Sequence, residues 1–161
     1  MRVHVLKLSF WAVSLGLLAG WGLSPSAWAA DEPAGMIKTL KGSAYIERGG
    51  QKLPAGVGVA VQPRDRLVSG PDAALGLTLR DNTQLTLGPN STLDLSRYAF
   101  NSTTYQGELV ATVKRGSLAV ISGKVAKANP DAVQFNTATV TLGVRGTEFI
   151  IDVGDATEGK P

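Results

Sequence analysis

The sequence contains no cysteine and a single histidine, His4. Its three tryptophans, Trp11, Trp21 and Trp28, all lie near the N-terminus. Residues beyond position 29 therefore offer no thiolate, imidazole or indole group. This composition excludes disulfides, His- or Cys-based metal sites, and nucleophilic systems of the Ser-His-Asp or Cys-His type from that part of the chain. We expect neither a cofactor nor a bound metal.

The first 29 residues have the three-part layout of a secretory signal peptide. Arg2 and Lys7 form a basic start, an apolar run extends from Leu8 to Leu23, and Ala27-Trp28-Ala29 supplies small residues for cleavage. The run is 16 residues long, whereas a membrane-spanning helix usually needs ~20. We predict cleavage near Ala29, a periplasmic or secreted protein, and no membrane span afterwards. An uncleaved N-terminal anchor is the alternative.

Charge in the remaining chain is nearly balanced. Fourteen Lys and Arg face thirteen Asp and Glu, a net charge of +1 (14 − 13). No basic stripe suggests a nucleic-acid partner. The remaining 132 residues (161 − 29) are sufficient for one domain with a hydrophobic core. We predict an all-β domain over residues 35–153 and a flexible C-terminal tail over residues 154–161.

Short apolar alternations separated by turn residues dominate this domain. Leu75, Leu77 and Leu79 alternate with polar or small residues, and an Asp81-Asn82 turn follows. The period of two, with turn residues every eight to twelve positions, predicts an antiparallel-rich β-sandwich or β-roll, with a short β-solenoid as the alternative. The apolar run 118–121 predicts a strand buried on both faces. No stretch predicts a long helix.

Two glycine-containing segments predict tight connections between strands. Arg48-Gly49-Gly50-Gln51 separates two strand-like runs, which is typical of a hairpin. The segment 141–147 shares Thr, Leu, Gly and a final Thr with the segment 86–92, which includes Gly88. We interpret both segments as strand-to-strand corners.

The second corner contains the most distinctive candidate site residue, Arg145, between Gly143 and Gly146. A guanidinium in such a corner can donate to backbone carbonyls or to a carboxylate, and we predict Glu148 or Asp65 as that carboxylate. A site for an anion or a partner's carboxylate is the functional alternative.

Two other groups of side chains are candidate functional residues, but their patterns are less specific than that of the Arg145 corner. Tyr98 and Phe100 either cover the open end of the β-core or form a contact patch for a partner. Carboxylates could in principle support glycoside hydrolysis, and the candidates are Asp65, Asp81, Asp94, Glu108 and Glu148. Turn and surface positions, together with few aromatic residues for a sugar platform, favour a non-catalytic protein.

Several blocks of the sequence together resemble the FecR domain family. The blocks are Gly42-Ser43-Ala44, Arg48-Gly49-Gly50, Asp65–Gly70, Asp81–Leu85, Leu87–Ser91, Arg115–Leu118 and Val140–Phe149. The resemblance implies a periplasmic all-β module of Gram-negative bacteria, with signature residues in the last block and at Asp65, Asp81 and Gly88. The signature residues of the last block are Gly143, Arg145, Gly146, Thr147 and Glu148.

The family's namesakes relay iron–siderophore status from an outer-membrane receptor to a cytoplasmic sigma factor. Such a regulator needs a cytoplasmic N-terminal domain, whereas about seven residues precede the apolar run here. We therefore expect a non-catalytic module that binds a periplasmic or outer-membrane protein, or another envelope component, in envelope sensing or signalling. A membrane-tethered sigma-factor regulator and a structural envelope or surface component are the alternatives.

Overall fold

A computed structural model describes residues 32–143 and 148–154, and strands account for most of them. The strands are β1 (Gly35–Lys41), β2 (Ala44–Arg48), β3 (Gln51–Pro54), β4 (Ala60–Val61), β5 (Arg66–Ser69), β6 (Ala74–Leu79), β7 (Gln84–Leu87), β8 (Thr92–Phe100), β9 (Gly107–Ile121), β10 (Val133–Asn136), β11 (Thr141–Gly143) and β12 (Glu148–Val153). A short helix α1 (Lys124–Ala128) and a 3-10 turn (Pro130–Ala132) connect β9 to β10.

The strands form one curled sheet. Its main path runs β3-β2-β5-β8-β9-β7-β6-β1-β4. Strands β10 and β12 also pair with β9, and β11 pairs with β10. Among the described residues, every pairing is antiparallel except that of β10 with β9. The prediction of an antiparallel-rich all-β fold is confirmed, and the curled sheet corresponds to a roll.

Strand β9 joins the two halves of this roll. Its first half pairs with β8 and its last residues pair with β7, so β7 and β8 lie in series along it. Gly116 marks the junction with a φ of +78°. A Cβ at this position would lie 2.6 Å from the Cα of Ser91. The bend therefore needs glycine for both its backbone angle and the close approach of the neighbouring chain.

The core lies inside the curl and is built from alternating residues of both halves. Leu77 is buried and pairs across β6–β7 with Leu85, whereas its neighbour Thr78 is half-buried. This agrees with the predicted alternation. On the β5 side, Leu67 and Leu93 oppose each other and are fully buried.

The predicted hairpin at 48–51 is present and connects β2 to β3. Gly49 and Gly50 have φ values of +56° and +81°, as a two-residue type I′ turn requires. The prediction that 118–121 is buried on both faces is wrong. Ile121 is 42% exposed, because the outer face of this part of β9 is not covered by the described residues.

Helix α1 was not predicted from the sequence. It spans five residues and buries Val125 and Ala126. A stretch this short lacks the repeated apolar spacing from which a helix is recognised. None of the helices within residues 32–143 and 148–154 is long and apolar enough to cross a membrane.

Candidate partner-binding grooves

A bulge in β8 lies at a concave surface of the described chain. Leu95 pairs with Ala111 and Arg97 with Val110, so Ser96 is the extra residue on the β8 side. A bulge shifts the alternation of a strand by one residue. Arg97 consequently points outwards and Tyr98 inwards, in the opposite phase to the leucines that precede them.

Two shallow grooves lie on either side of Ser96 and of the turn that contains Arg64. The first has a volume of about 500 Å³ and is lined by the residues Glu32, Pro63, Arg64, Arg80, Ser96, Arg97, Tyr98, Ala99, Phe100 and Glu108. The second has a volume of about 390 Å³ and is lined by the residues Glu47, Gly49, Gly50, Arg64, Arg66, Asp94, Leu95 and Ser96. Arg64 and Ser96 are common to both grooves.

Next to Arg64, which both grooves share, an ion pair with a buried carboxylate anchors the chain. Asp65 is 1% exposed and accepts two hydrogen bonds from Arg48, at 2.8 Å from Nε and 2.7 Å from Nη2. The backbone NH of Gln62 also donates to Asp65, at 2.7 Å. The hydrogen bond to Asp65 raises the pKa of Arg48 above its ordinary value, despite the opposing effect of burial. Asp65 thus fixes the turn 62–65 to the hairpin.

Apart from Arg64, the described charged side chains that line the grooves are paired. Arg66 donates to Asp94 at 2.6 Å and lies 3.3 Å from Glu47. These carboxylates, Asp94 foremost, raise the pKa of the Arg66 guanidinium. Arg97 lies 3.1 Å from Glu108. The grooves are therefore a mosaic of both signs of charge, which is typical of surfaces that recognise proteins by electrostatic complementarity.

Arg80 extends this mosaic at the other end of the first groove. It forms an ion pair with Glu32 at 2.5 Å and donates to the Phe100 carbonyl at 3.2 Å. The Phe100 ring stacks on Tyr105, with centroids 6.4 Å apart. Tyr105 is 47% exposed. An aromatic pair with polar surroundings thus lies beside the groove, and Tyr and Phe are enriched at protein interfaces.

Beneath the first groove, Asp81 is fully buried and holds the β6–β7 turn to β8 and α1. Its carboxylate accepts hydrogen bonds from Thr83 NH at 3.1 Å, Thr83 Oγ1 at 2.7 Å, Tyr98 OH at 3.2 Å and Val125 NH at 3.3 Å. The Tyr98 hydroxyl also accepts the Asp81 NH at 2.9 Å. Burial, and next the negative charge of Asp81, raise the pKa of the Tyr98 phenol.

The residues predicted as partner contacts have different environments. Tyr98 is 9% exposed and belongs to the core. Phe100 is half-buried and packs against the core from the groove side. The structure therefore leaves Phe100, and not the Tyr98 ring, with surface for a partner. Both residues lie within β8.

Gly88 lies at the first predicted corner, between β7 and β8. Its NH donates to the Ser117 carbonyl at 3.0 Å, and its own carbonyl accepts from Ser69 Oγ at 2.6 Å. A Cβ at Gly88 would lie 2.2 Å from Ser117 Oγ. The chain thus passes very close to β9 at this corner.

The second predicted corner is described only at its two ends. Gly143 ends β11, and Glu148 begins β12 and is exposed. Arg145, Gly146 and Thr147 lie outside the described residues, as does Val144. The pairing of Arg145 with Glu148 or Asp65 stays a prediction. Asp65 already binds Arg48 through both carboxylate oxygens.

The sequence alone does not indicate that Arg64, Arg80 and Arg97 lie close together. They lie in three separate segments, and only the bulge at Ser96 and the turn at 62–65 bring them to one groove. The Pro63-Arg64-Asp65 sequence was the available signal, since proline and aspartate favour turns.

Comparison with known proteins identifies one family. The family model described as FecR protein matches residues 65–159, which is more than half of the chain. The matched range includes the residues of β8 that line the two grooves. No curated protein and no solved structure gives a significant match.

Proposed function

The chain belongs to the FecR family, and on that basis we propose that it is a non-catalytic envelope module that binds a protein partner through the two grooves. The family is regulatory and takes part in signalling that controls sigma factors for iron transport. A module of this kind acts by binding, so its working surface must offer groups that recognise another protein.

The observation that carries this proposal is the composition of the grooves. Arg64, Arg80 and Arg97 line one shallow groove next to the Phe100–Tyr105 stack. Arginine and aromatic residues dominate binding hot spots at protein interfaces. The groove is backed by the buried Asp81 hydrogen-bond network, which preorganises β8 and lowers the entropic cost of binding.

For the location we propose the periplasm or secretion, with cleavage near Ala29 and a domain over residues 35–153. The A-x-A pattern and the short apolar run support this proposal. N-terminal sequencing of protein from fractionated cells tests it, and Ala30 or Asp31 should be the first residue. Recovery of intact Met1 in the membrane fraction would instead favour the membrane-tethered regulator, which the family's role in sigma-factor control makes the second candidate.

Site-specific photo-crosslinking tests partner binding. A photoreactive amino acid at Ser96, which both grooves share, should give a discrete crosslinked protein in producing cells. The control position is Thr86, an exposed residue on β7 that lines neither groove. Equal crosslinks from both positions, or none from Ser96, would contradict the groove as a binding site. The absence of any crosslink would favour a structural envelope component.

A further inference from the structure

We infer that Arg64 recognises a single carboxylate side chain, Asp or Glu, of a partner protein, an inference that rests on the proposed function. Arg64 stands between the two grooves and contributes to both. Three features of this residue, namely its backbone conformation, its lack of an internal partner and the charges around it, indicate this role.

The backbone of Arg64 adopts a conformation that glycine would adopt more easily. Its φ is +71°. Pro63 and Arg64 are the central residues of a turn that the Asp65 NH closes onto the Gln62 carbonyl at 3.2 Å. Proline followed by a left-handed residue is the pattern of a type II turn, whose second central position favours glycine. An arginine at this position carries backbone strain, and such strain is concentrated at functional sites.

The surrounding sheet holds this strained turn in place. The Arg64 NH donates to the Leu95 carbonyl at 2.7 Å, and the Leu95 NH donates to the Asp65 carbonyl at 2.9 Å. Asp65 itself is fixed by Arg48. The side chain of Arg64 therefore projects from a rigid base next to the Ser96 bulge. A rigid base reduces the entropy lost when the guanidinium binds a ligand.

The guanidinium of Arg64 is not used to stabilise the described part of the fold. Its side chain is exposed and forms no hydrogen bond or ion pair with another described residue. The other arginines within residues 32–143 all have interaction partners: Arg48, Arg66, Arg80, Arg97 and Arg115. Stability of the fold thus does not explain why a strained position carries a guanidinium.

The charges around Arg64 select a single carboxylate over a polyanion. Glu32 and Glu108 line the first groove, and Glu47 and Asp94 line the second. Each of these four carboxylates is already paired with Arg66, Arg80 or Arg97. Among the described residues that line the grooves, Arg64 is therefore the one guanidinium left for a negative charge, and no cluster of unpaired cations is present for a polyanion such as a nucleic acid. One carboxylate from a protein side chain matches the planar fork of Arg64.

The first experiment measures recognition directly on the purified protein. The arginine Nε–Hε signals are followed by NMR during titration with acetyl-Gly-Glu-Gly-amide, with acetyl-Gly-Gln-Gly-amide as the uncharged control and inorganic phosphate as the competing anion. The Arg64 signal, assigned by its loss in Arg64→Lys, should shift saturably with the Glu peptide only. No shift with the Glu peptide, or a larger shift with phosphate, would overturn the inference.

The second experiment uses variants of Arg64 in the crosslinking assay at Ser96. Arg64→Gly and Arg64→Asn both suit a left-handed backbone but remove the charge. Each should reduce the Ser96 crosslink at least fivefold while the melting temperature stays equal or rises. Lys38→Gln removes an exposed positive charge from β1, outside both grooves, and should leave the crosslink unchanged.

The outcomes separate the two proposals. The proposed function is contradicted if the protein with the photoreactive amino acid at Ser96, and with Arg64 unchanged, gives no crosslink. A crosslink of normal yield in Arg64→Gly contradicts only the role of Arg64. Equal losses in Lys38→Gln and Arg64→Gly would show a general effect of net charge, and would also overturn the assignment to Arg64.

Discussion

The Tyr98 hydroxyl lies 3.2 Å from Asp81 Oδ1 and accepts the Asp81 backbone NH at 2.9 Å. This reciprocal pair joins the middle of β8 to the turn between β6 and β7, 17 residues earlier in the chain. Through Val125 the same carboxylate also holds α1. The position of the groove floor therefore depends on one buried acid.

Replacing Asp81 by alanine should destabilise the protein by at least about 3 kcal/mol, because several buried donors would lose their acceptor. Urea denaturation monitored by circular dichroism measures the loss. Asp72→Ala, at an exposed turn position, is the matched control and should change stability by less than about 0.5 kcal/mol. Similar losses in the two variants would contradict the central role of Asp81.

Tyr98 should make the protein less stable in alkali. Its pKa in the folded protein is raised above the ordinary value of 10.0, so folding opposes ionisation. The resulting stability is complete below pH 10 and declines as the pH rises towards the folded-state pKa, because the unfolded chain releases this proton first. The difference in unfolding free energy between the parent protein and Tyr98→Phe should therefore shrink above pH 10. A constant difference would show that Tyr98 does not cause the decline.

The alternation in β6 should appear as a large contrast between adjacent residues. Leu77 is 2% exposed, so Leu77→Ala should cost ~2–5 kcal/mol through lost burial and a cavity. Thr78 is half-buried on the other face, and Thr78→Ala should cost well under that. Chemical denaturation of both variants tests the contrast, and equal small losses would contradict the assignment of Leu77 to the core.

Two arginine–aspartate pairs should contribute very differently to stability. In the Arg48–Asp65 pair the carboxylate side chain is 0% exposed, whereas the Arg66 and Asp94 side chains are 44% and 21% exposed. Arg48→Ala should cost ~3–5 kcal/mol because it leaves a buried carboxylate without its partner. Arg66→Ala should cost under about 1 kcal/mol. Thermal denaturation of both variants distinguishes these values, and a larger loss for Arg66→Ala would reverse our ranking.

Alanine substitution at Gly116 should show that the bend in β9 requires glycine. Gly116→Ala combines a left-handed φ with a Cβ 2.6 Å from a backbone atom, and should lower the melting temperature strongly. Gly56→Ala is the control, since its Cβ would meet only a Val59 methyl group at 3.6 Å and its φ is not left-handed. Comparable melting temperatures for the two variants would show that β9 tolerates a side chain at the bend.

Much of the sheet could be predicted from the sequence because its strands follow simple rules. The Leu75–Leu87 alternation and the Gly49-Gly50 hairpin depend only on local spacing and backbone preference, and both are present. The exposed Ile121 was mispredicted, because an apolar run alone does not show whether another layer covers its outer face.

The grooves could not be predicted, because they depend on a register shift. Ser96 and its neighbours have the same polarity pattern with or without a bulge, and only pairing with β9 shows which residue is extra. Arg64 offers a similar case. Its strain arises from a turn closed by distant partners, notably Leu95, which local spacing does not reveal.

Strand β9 has a consequence for the order in which the chain can fold. It is the shared neighbour of β7, β8, β10 and β12, yet it comes after two thirds of the sequence. During synthesis, earlier segments can form two separate half-sheets, β3-β2-β5-β8 and β7-β6-β1-β4, but these half-sheets are not joined until residues 107–121 are available. The two halves then close in a late, largely non-local step, which is the slow kind of event in β-protein folding. Until that step the leucines of β6, β7 and β8 stay accessible, so the nascent chain passes through a period of high aggregation risk that the finished roll does not share.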